Sequence, residues 1–220
     1  MFRTRNLLPL FCLALGMSPV RASVLAEHVG DNAPDSGNDR SPWEKVSEGN
    51  MSEEPLSGDV PAWRIVDRGN GVIYYKLSPE NADVSPLEGQ EWKLSAKLQV
   101  DRSDTPSHPF AVTVEYADAK LGLRYAMGFS AAHTGELTVT VNGAEDSITL
   151  NESEAAGFRL YELVFDPGSQ QAKLLVDGVE RLDAIRPLKN STLSRIIWGC
   201  GSTKGHGAAD FHLVRLESIP

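Results

Sequence analysis

Residues 92–101 read WKLSAKLQVD, a run in which apolar and polar side chains alternate at every position. Successive side chains of a β-strand point to opposite faces of a sheet, so this period of two predicts a strand with one buried and one solvated face. The runs 110–116, 121–129 and 137–141 repeat the pattern, and Phe110 opens the apolar set of its run. Shorter apolar segments predict further strands at 65–67, 72–77, 147–150, 158–165, 172–176, 195–198 and 209–216.

Turn signals between these segments agree with an antiparallel arrangement. Asn70-Gly71, Asn142-Gly143 and Asp177-Gly178 are dipeptides that adopt positive φ at low cost, and each is expected to close a tight hairpin. No segment shows a long apolar stripe with a period of 3.6, and strands do not alternate with helices. The sequence therefore predicts an all-β protein, a two-sheet antiparallel jelly-roll sandwich.

The composition limits the classes of protein to which the chain can belong. Its 220 residues, 41% hydrophobic and 23% charged, allow one globular domain with a tail. The formal net charge of -9 argues against a nucleic-acid partner, because a phosphate-binding surface needs clustered Lys and Arg.

Residues 1–22 have the features of a secretory signal peptide. Arg3 and Arg5 precede an apolar stretch at 7–20, and Ala22 supplies a small residue before the expected cut. The stretch is shorter than the roughly 20 residues that a membrane-spanning helix needs, so no membrane span is expected after cleavage. The mature protein is expected to be secreted, periplasmic or held in a bacterial cell envelope.

Residues 23–60 are rich in Gly, Pro, Asn, Ser and acidic residues, and they are expected to form a largely flexible leader. Trp43 is the exception, since a first edge strand at 42–46 is the alternative for that part. Residues 61–220 are expected to form the jelly-roll domain.

The C-terminal half carries a resemblance to a known family. Residues 158–168 read FRLYELVFDPG, residues 172–179 read AKLLVDGV, and residues 197–202 read IWGCGS. These phrases resemble concanavalin A-like (laminin G-like) lectin and glucanase domains, and they are similar in particular to the lectin-like modules that accompany bacterial sialidases. The resemblance implies the sandwich fold and a partner that is a glycan or polysaccharide.

The sequence lacks the catalytic patterns of related hydrolases. A glucanase of this fold would carry an E-x-D-x-E strand with its carboxylates on one face, and no such triplet occurs. Sialidase catalysis needs a propeller with an arginine triad and Asp-box repeats, and none of these is present. We therefore expect a non-catalytic carbohydrate-binding protein, accessory to a sialidase or another glycan hydrolase. The alternatives are a diverged glycoside hydrolase of the same fold and a structural or interaction module of the envelope.

Two patterns suggest metal or thiol chemistry. Cys200, His206 and His212 could form a thiol–imidazole pair or a metal site, but their spacing matches no zinc pattern, and a thiol packed in a turn is the favoured interpretation. The segments 101–104 and 142–146 offer oxygen ligands in turns, so Ca²⁺ is a candidate cofactor, although neither segment has the spacing of a known calcium loop.

The most suggestive surface is the solvated face of the strand at 121–129. Arg124 has Gly122, Ala126 and Gly128 as neighbours on that face, so a long cation stands on a floor of small side chains. On a concave sheet this face would form a shallow trough for a saccharide. The further candidate ligand-binding residues are Glu115, Tyr161, Tyr75 and His212. The alternative is an ordinary solvated sheet face with one Arg–Glu ion pair.

Overall fold

A computed structural model of the protein describes residues 22–37, 39, 41–69, 71–80, 84, 87, 89–103, 108–142 and 146–219, with the backbone alone at 102 and 103. The predicted signal peptide lies outside the described residues apart from Ala22. In the part of the chain that the structure describes, no helix has the length and apolar character that crossing a bilayer would require.

The strands, numbered along the chain, form two antiparallel sheets. Sheet I contains, in spatial order, β13 (Val179–Ile185), β12 (Gln171–Val176), β11 (Arg159–Asp166), β6 (Trp92–Ser103), β16 (Gly207–Ser218), β4 (Ala62–Asp67) and β3 (Met51–Leu56), with β1 (Val24–Val29) paired to β16. Sheet II contains β10 (Asp146–Leu150), β9 (Leu137–Val141), β8 (Leu123–Ala131), β7 (Val112–Asp118), β15 (Arg195–Cys200), β5 (Val72–Leu77) and β2 (Glu44–Glu48), with β14 (Leu188–Lys189) paired to β8. Among the described residues the single α-helix is α1 (Glu152–Ala155), which Asn151 caps.

The core lies between the sheets and is built from side chains that the alternating pattern assigns inward. The buried inward residues of β6 are Trp92, Leu94, Ala96 and Leu98. Trp92 of sheet I meets Tyr125 of sheet II with 5.5 Å between ring centroids, and Phe211 of sheet I meets Trp198 of sheet II at 4.9 Å. Side chains from both inner faces therefore interdigitate, and the prediction of a two-sheet antiparallel jelly-roll sandwich is confirmed.

Residues 23–60 contribute β1, β2 and β3 to the sheets, so the expectation of a largely flexible leader is wrong. β1 pairs with the closing strand β16, and β2 lies at an edge of sheet II near the edge strand expected at 42–46. Ala26, His28 and Trp43 are buried. The polar composition of this segment is a poor guide to its order. A few apolar side chains are enough to anchor the strands in the core, and the hydrogen bonds between strands use backbone groups that every residue except proline supplies in full. The sandwich therefore extends across the boundary expected at residue 61.

The three expected hairpins have different outcomes. Asp177-Gly178, with φ of 51° and 77°, joins β12 to β13 as a two-residue turn, and Asn142, with φ of 58°, begins the turn between β9 and β10. The hairpin at Asn70-Gly71 is wrong, because β4 belongs to sheet I and β5 to sheet II. Gly71 has a steric role instead, since a Cβ there would overlap the carbonyl oxygen of Glu48.

Candidate functional site: a trough on the outer face of sheet II

Three adjacent strands of sheet II carry a row of outward side chains. Ala117 of β7 lies opposite Arg124 of β8 on one side and opposite Arg195 of β15 on the other. Their chain neighbours Tyr116 and Tyr125 are buried in the core. Because side chains alternate across a strand, the row stands on the outer face of the sandwich.

Glu115, the preceding outward residue of β7, contacts both arginines. Nη2 of Arg195 donates to Oε1 of Glu115 over 3.3 Å, and Nη1 of Arg124 lies 3.5 Å from Oε2. Glu115 is 8% exposed, whereas the side chains of Arg124 and Arg195 are 39% and 37% exposed. One buried carboxylate thus orients two guanidinium groups, each of which has further N–H donors. The sequence left one Arg–Glu ion pair on an ordinary sheet face as the alternative to a trough, and the structure shows a carboxylate shared by two arginines.

Small side chains form the floor beside Arg124. Ala126 and Thr113 are almost completely buried on this outer face. Gly122, which the sequence placed on the same floor, lies instead in the turn before β8 with φ of +66°. The floor therefore extends from Arg124 along β8 in one direction, away from that turn.

Phe110 is a wall of the site, although the alternating pattern assigned it to the core. β7 begins at Val112, and Phe110 lies in the preceding turn with part of its surface exposed. The loop crosses Gly128: a Cβ on that glycine would overlap the carbonyl oxygen of Pro109 and lie 2.5 Å from Cδ1 of Phe110. The missing side chain of Gly128 thus creates the recess that the aromatic ring fills.

The first of two cavities on this face has a volume of about 330 Å³. It is lined by His108, Phe110, Thr113, Glu115, Arg124, Ala126, Gly201, Ser202 and Thr203. Aromatic, cationic and hydroxyl groups therefore face the same space.

His108 joins two loops at one end of this cavity. Its Nδ1 accepts a hydrogen bond from the Phe110 N–H at 3.3 Å, and its Nε2 lies 3.2 Å from Oγ of Ser202. Burial, together with the positive charges of Lys204 and His206, lowers the pKa of His108. A neutral ring with its proton on Nε2 satisfies both contacts.

The second cavity, of about 300 Å³, is lined by Arg124, Lys189, Asn190, Ser191, Thr192, Leu193 and Arg195. Arg124 lines both cavities, so they adjoin across its side chain. We call the two cavities together the trough. Asn142 connects β8 to the segment that precedes β14. Its Oδ1 accepts a hydrogen bond from the Ala126 N–H, and its Nδ2 donates one to the Arg186 carbonyl oxygen, both at 2.8 Å.

Tyr75 and Tyr161, predicted to accompany Arg124, are core residues with 0% and 1% exposure. The Tyr75 hydroxyl donates to Oε2 of Glu53 at 2.6 Å, and Tyr161 packs edge-on against Phe129. Burial raises the pKa of both phenols. Neither ring can form a platform for a sugar, so the prediction for both is wrong. A shift of one residue in the assignment of a strand moves each of its side chains from the outer face to the core.

His212 is separated from the trough by the sandwich. It lies on β16 of sheet I, and its Nδ1 is 2.7 Å from the carbonyl oxygen of Pro61. Of the five candidate residues, the structure brings Arg124 and Glu115 together and places the other three elsewhere.

The thiol is buried, as the favoured interpretation expected. Cys200 is enclosed in the core with Sγ 3.7 Å from the Gly207 carbonyl oxygen, and burial raises its pKa. His206 faces Asp67, with Nδ1 to Oδ2 at 3.8 Å. A thiol held in its protonated form is a poor nucleophile.

The described residues contain no group of three or more His, Cys, Asp or Glu side chains able to hold a metal ion. In the expected calcium segments, Asn142 already uses its amide oxygen for Ala126, and Asp101 lies 3.7 Å from Arg64. Residues 104 and 143–145 lie outside the described residues.

A third cleft, of about 260 Å³, lies on the far side of the molecule at the β11–β12 turn. Three carboxylates line it, those of Glu91, Asp166 and Asp183. Hydrogen bonds from the Ser169 hydroxyl and the Gly168 N–H lower the pKa of Asp166, which favours its ionised form.

Sequence reasoning missed most residues of the trough, among them His108, Phe110, Lys189 and Arg195. For Arg195 a signal was present, because it is out of phase with the core residues Ile196 and Trp198 and so belongs to the outer face. The positions of His108 and Phe110 depend on a loop that packs against β8, and the position of Lys189 depends on the pairing of β14 with the distant strand β8.

No family model and no curated protein matches the chain. Among solved structures, it is similar to a carbohydrate esterase from Shiga toxin-encoding bacteriophage phi24B, with 11% identity and a TM-score of 0.57 over 91% of this chain and 100% of that one. It is also similar to domain 4 of an extracellular arabinanase from Geobacillus stearothermophilus, solved with arabinotriose, with 11% identity and a TM-score of 0.55 over 90% and 93%. A botulinum neurotoxin type C structure, described as entering cells through two ganglioside molecules, matches with 10% identity and a TM-score of 0.51 over 88% of this chain and 48% of that one. These likenesses show a shared β-sandwich fold.

Proposed function

We propose that this protein is an exported, non-catalytic glycan-binding protein that holds a saccharide in the trough. The observation that carries the proposal is the pair of adjoining cavities that share Arg124, about 330 and 300 Å³ in volume. Binding sites for small ligands typically start at roughly 300 Å³ and combine an apolar surface with a few fixed polar groups.

The trough offers the groups that a sugar ring requires. Phe110 presents an aromatic surface for the apolar face of a pyranose, while Arg124 supplies N–H donors for ring hydroxyls. Ser202, Thr203 and Asn190 provide neutral hydrogen-bonding groups along the same surface. The arabinotriose bound to the similar arabinanase domain supports this proposal, since that domain shares the fold.

The acidic groups of the trough do not fit glycoside hydrolysis. Among the described residues that line it, Glu115 is the single carboxylate, and it is tied to two arginines. Hydrolysis of glycosides normally uses two carboxyl groups, one of which must hold a proton. Binding without bond cleavage is therefore the function that the trough supports best.

The experiment is a glycan-array screen of residues 23–220 followed by isothermal titration of each hit. Arg124→Ala is expected to weaken binding about 10-fold or more, because a hydrogen bond from a charged donor contributes about 1.5–3 kcal/mol. Arg181→Ala is the matched control, since its side chain is equally exposed at 39% and pairs with Glu154 at 3.3 Å outside the trough. Absence of binding across neutral and acidic glycans would overturn the proposal and favour an interaction module of the envelope.

The third cleft favours a second candidate, a diverged glycoside hydrolase of the same fold. Its three carboxylates supply the residue type that acid–base catalysis needs. Release of reducing sugar from a polysaccharide, abolished by Glu91→Gln or Asp183→Asn, would establish this activity. Unchanged polysaccharide after prolonged incubation would exclude it for the substrates tested.

Export and an accessory role beside a sialidase or another glycan hydrolase complete the proposal; they rest on the N-terminal sequence and on the C-terminal phrases. The chain expressed in a bacterium is expected outside the cytoplasm with Ser23 as its first residue. A cytoplasmic protein that retains Met1 would contradict export.

A further inference from the structure

We infer that the trough selects anionic glycans, whose acidic group, a carboxylate or a sulfate ester, binds between Arg124 and Arg195. This inference rests on the proposed function and names the class of sugar that the same site takes.

The second cavity is strongly cationic although the whole chain is acidic. Arg124, Arg195 and Lys189 line it, and no carboxylate is among its described lining residues. Lys189 has no ion pair with any described residue. The formal net charge of the chain is -9, so general attraction of anions by the protein does not explain this concentration of positive charge.

The spacing of the two arginines suits one acidic group. They stand on opposite sides of Ala117 in one cross-strand row. Neighbouring strands lie about 4.8 Å apart, so the two Cα atoms are roughly 10 Å apart. Ala117 contributes only a methyl group, and Glu115 contacts one Nη atom of each arginine, so the other N–H donors of both side chains remain available in the second cavity that both arginines line. An acidic group there can accept N–H donors from both sides, in the planar geometry that arginine favours.

Glu115 prepares this arrangement without neutralising it. It is buried, accepts one hydrogen bond from Arg195 and faces Arg124, so both side chains are held before a ligand arrives. Two arginines and Lys189 against one glutamate leave an excess of positive charge in the trough. A charged group of the ligand is therefore attracted, while Asn190, Ser191 and Thr192 can bind neighbouring hydroxyls.

The test compares sugars that differ only in charge. We expect oligogalacturonate to bind at least about 10-fold more tightly than its methyl ester, and this ratio to shrink in 1 M NaCl, which screens exposed charges. Carrageenan oligosaccharides and the same oligosaccharides after chemical desulfation form a second pair and show whether sulfate replaces carboxylate.

Variants show whether the preference belongs to this site. Arg195→Ala is expected to reduce the ratio of acidic to neutral affinity to below about 3-fold, and Lys189→Ala to reduce it by a smaller factor, since Lys189 is exposed. Arg181→Ala should leave the ratio unchanged. Lys189 lies on the surface, so its variant remains informative even if Arg195→Ala does not fold.

The outcomes separate the inference from the proposed function. Equal binding of both members of both pairs keeps the glycan-binding function and overturns the inference. Binding of neither member of either pair, with no hit on the glycan array, overturns the proposed function. A preference for acidic sugars that survives both Arg195→Ala and Lys189→Ala also overturns the inference, because the acidic group of the sugar would then bind at another site on the protein.

Discussion

Phe110 fits against Gly128 because the glycine has no side chain: a Cβ on Gly128 would lie 2.5 Å from Cδ1 of the phenylalanine. The same Cβ would also overlap backbone atoms of Pro109, so a movement of the Phe110 side chain alone could not relieve the clash. The wall of the trough thus depends on one glycine of the sheet beneath it.

Gly128→Ala is therefore expected to destabilise the protein by about 1–3 kcal/mol, since overpacking displaces backbone as well as side chains. Chemical denaturation measures the loss. Gly58→Ala is the control, because a Cβ at Gly58 meets nothing within 4 Å. Equal stability of the two variants would show that the loop at 108–111 does not lie on Gly128.

Two carboxylates of the outer faces should differ in their contribution to stability. Asp210 accepts two hydrogen bonds from Arg64, at 2.7 and 2.9 Å, whereas the partners of Glu115 are more than one third exposed. We expect Asp210→Asn to cost about 1–3 kcal/mol and Glu115→Gln less than about 1 kcal/mol, because water can replace the carboxylate as the partner of two partly exposed guanidinium groups. Denaturant titration of both variants checks the order, and a reversed order would contradict the pairing described here.

Acid should loosen the loop that carries Phe110. The folded protein lowers the pKa of His108 below the ordinary 6.5, so the folded state binds protons less readily than the unfolded chain. This contribution to stability is complete above the unfolded pKa and is lost as the pH falls below it toward the folded pKa. Unfolding free energies at pH 7.5 and pH 5 should therefore differ more in the natural protein than in His108→Gln, and an equal difference would contradict this role.

Tyr75→Phe tests the corrected position of Tyr75. The hydroxyl donates to Glu53 and accepts from Nε1 of Trp63 at 3.2 Å, so its removal takes this partner from the buried indole N–H of Trp63 and should cost about 1–3 kcal/mol. Affinity for a glycan should not change. Tyr74→Phe is the control, since its hydroxyl has no hydrogen-bond partner among the described residues. Loss of affinity without loss of stability would return Tyr75 to the binding site.

The sequence predicted the sheets better than it predicted their connections. Alternation identified the inward residues of β6, but it gave no means of telling that β4 and β5 belong to different sheets, because a turn dipeptide fixes local φ and not the partner of the next strand. Tyr75 and Tyr161 were assigned to the wrong face for a different reason: each is in phase with buried residues of its own strand, such as Ile73 and Leu163, and belongs with them in the core.

By itself, the sequence determined the all-β sandwich and the outward position of Arg124, because both follow from the period-two alternation that every strand imposes on its side chains. The tertiary structure alone decided that Arg195 shares Glu115 with Arg124, that Phe110 closes the trough, and that β1, β2 and β3 belong to the sheets. Those contacts join segments as far apart as Glu115 and Arg195, and local patterns carry no information about which distant strand becomes a neighbour.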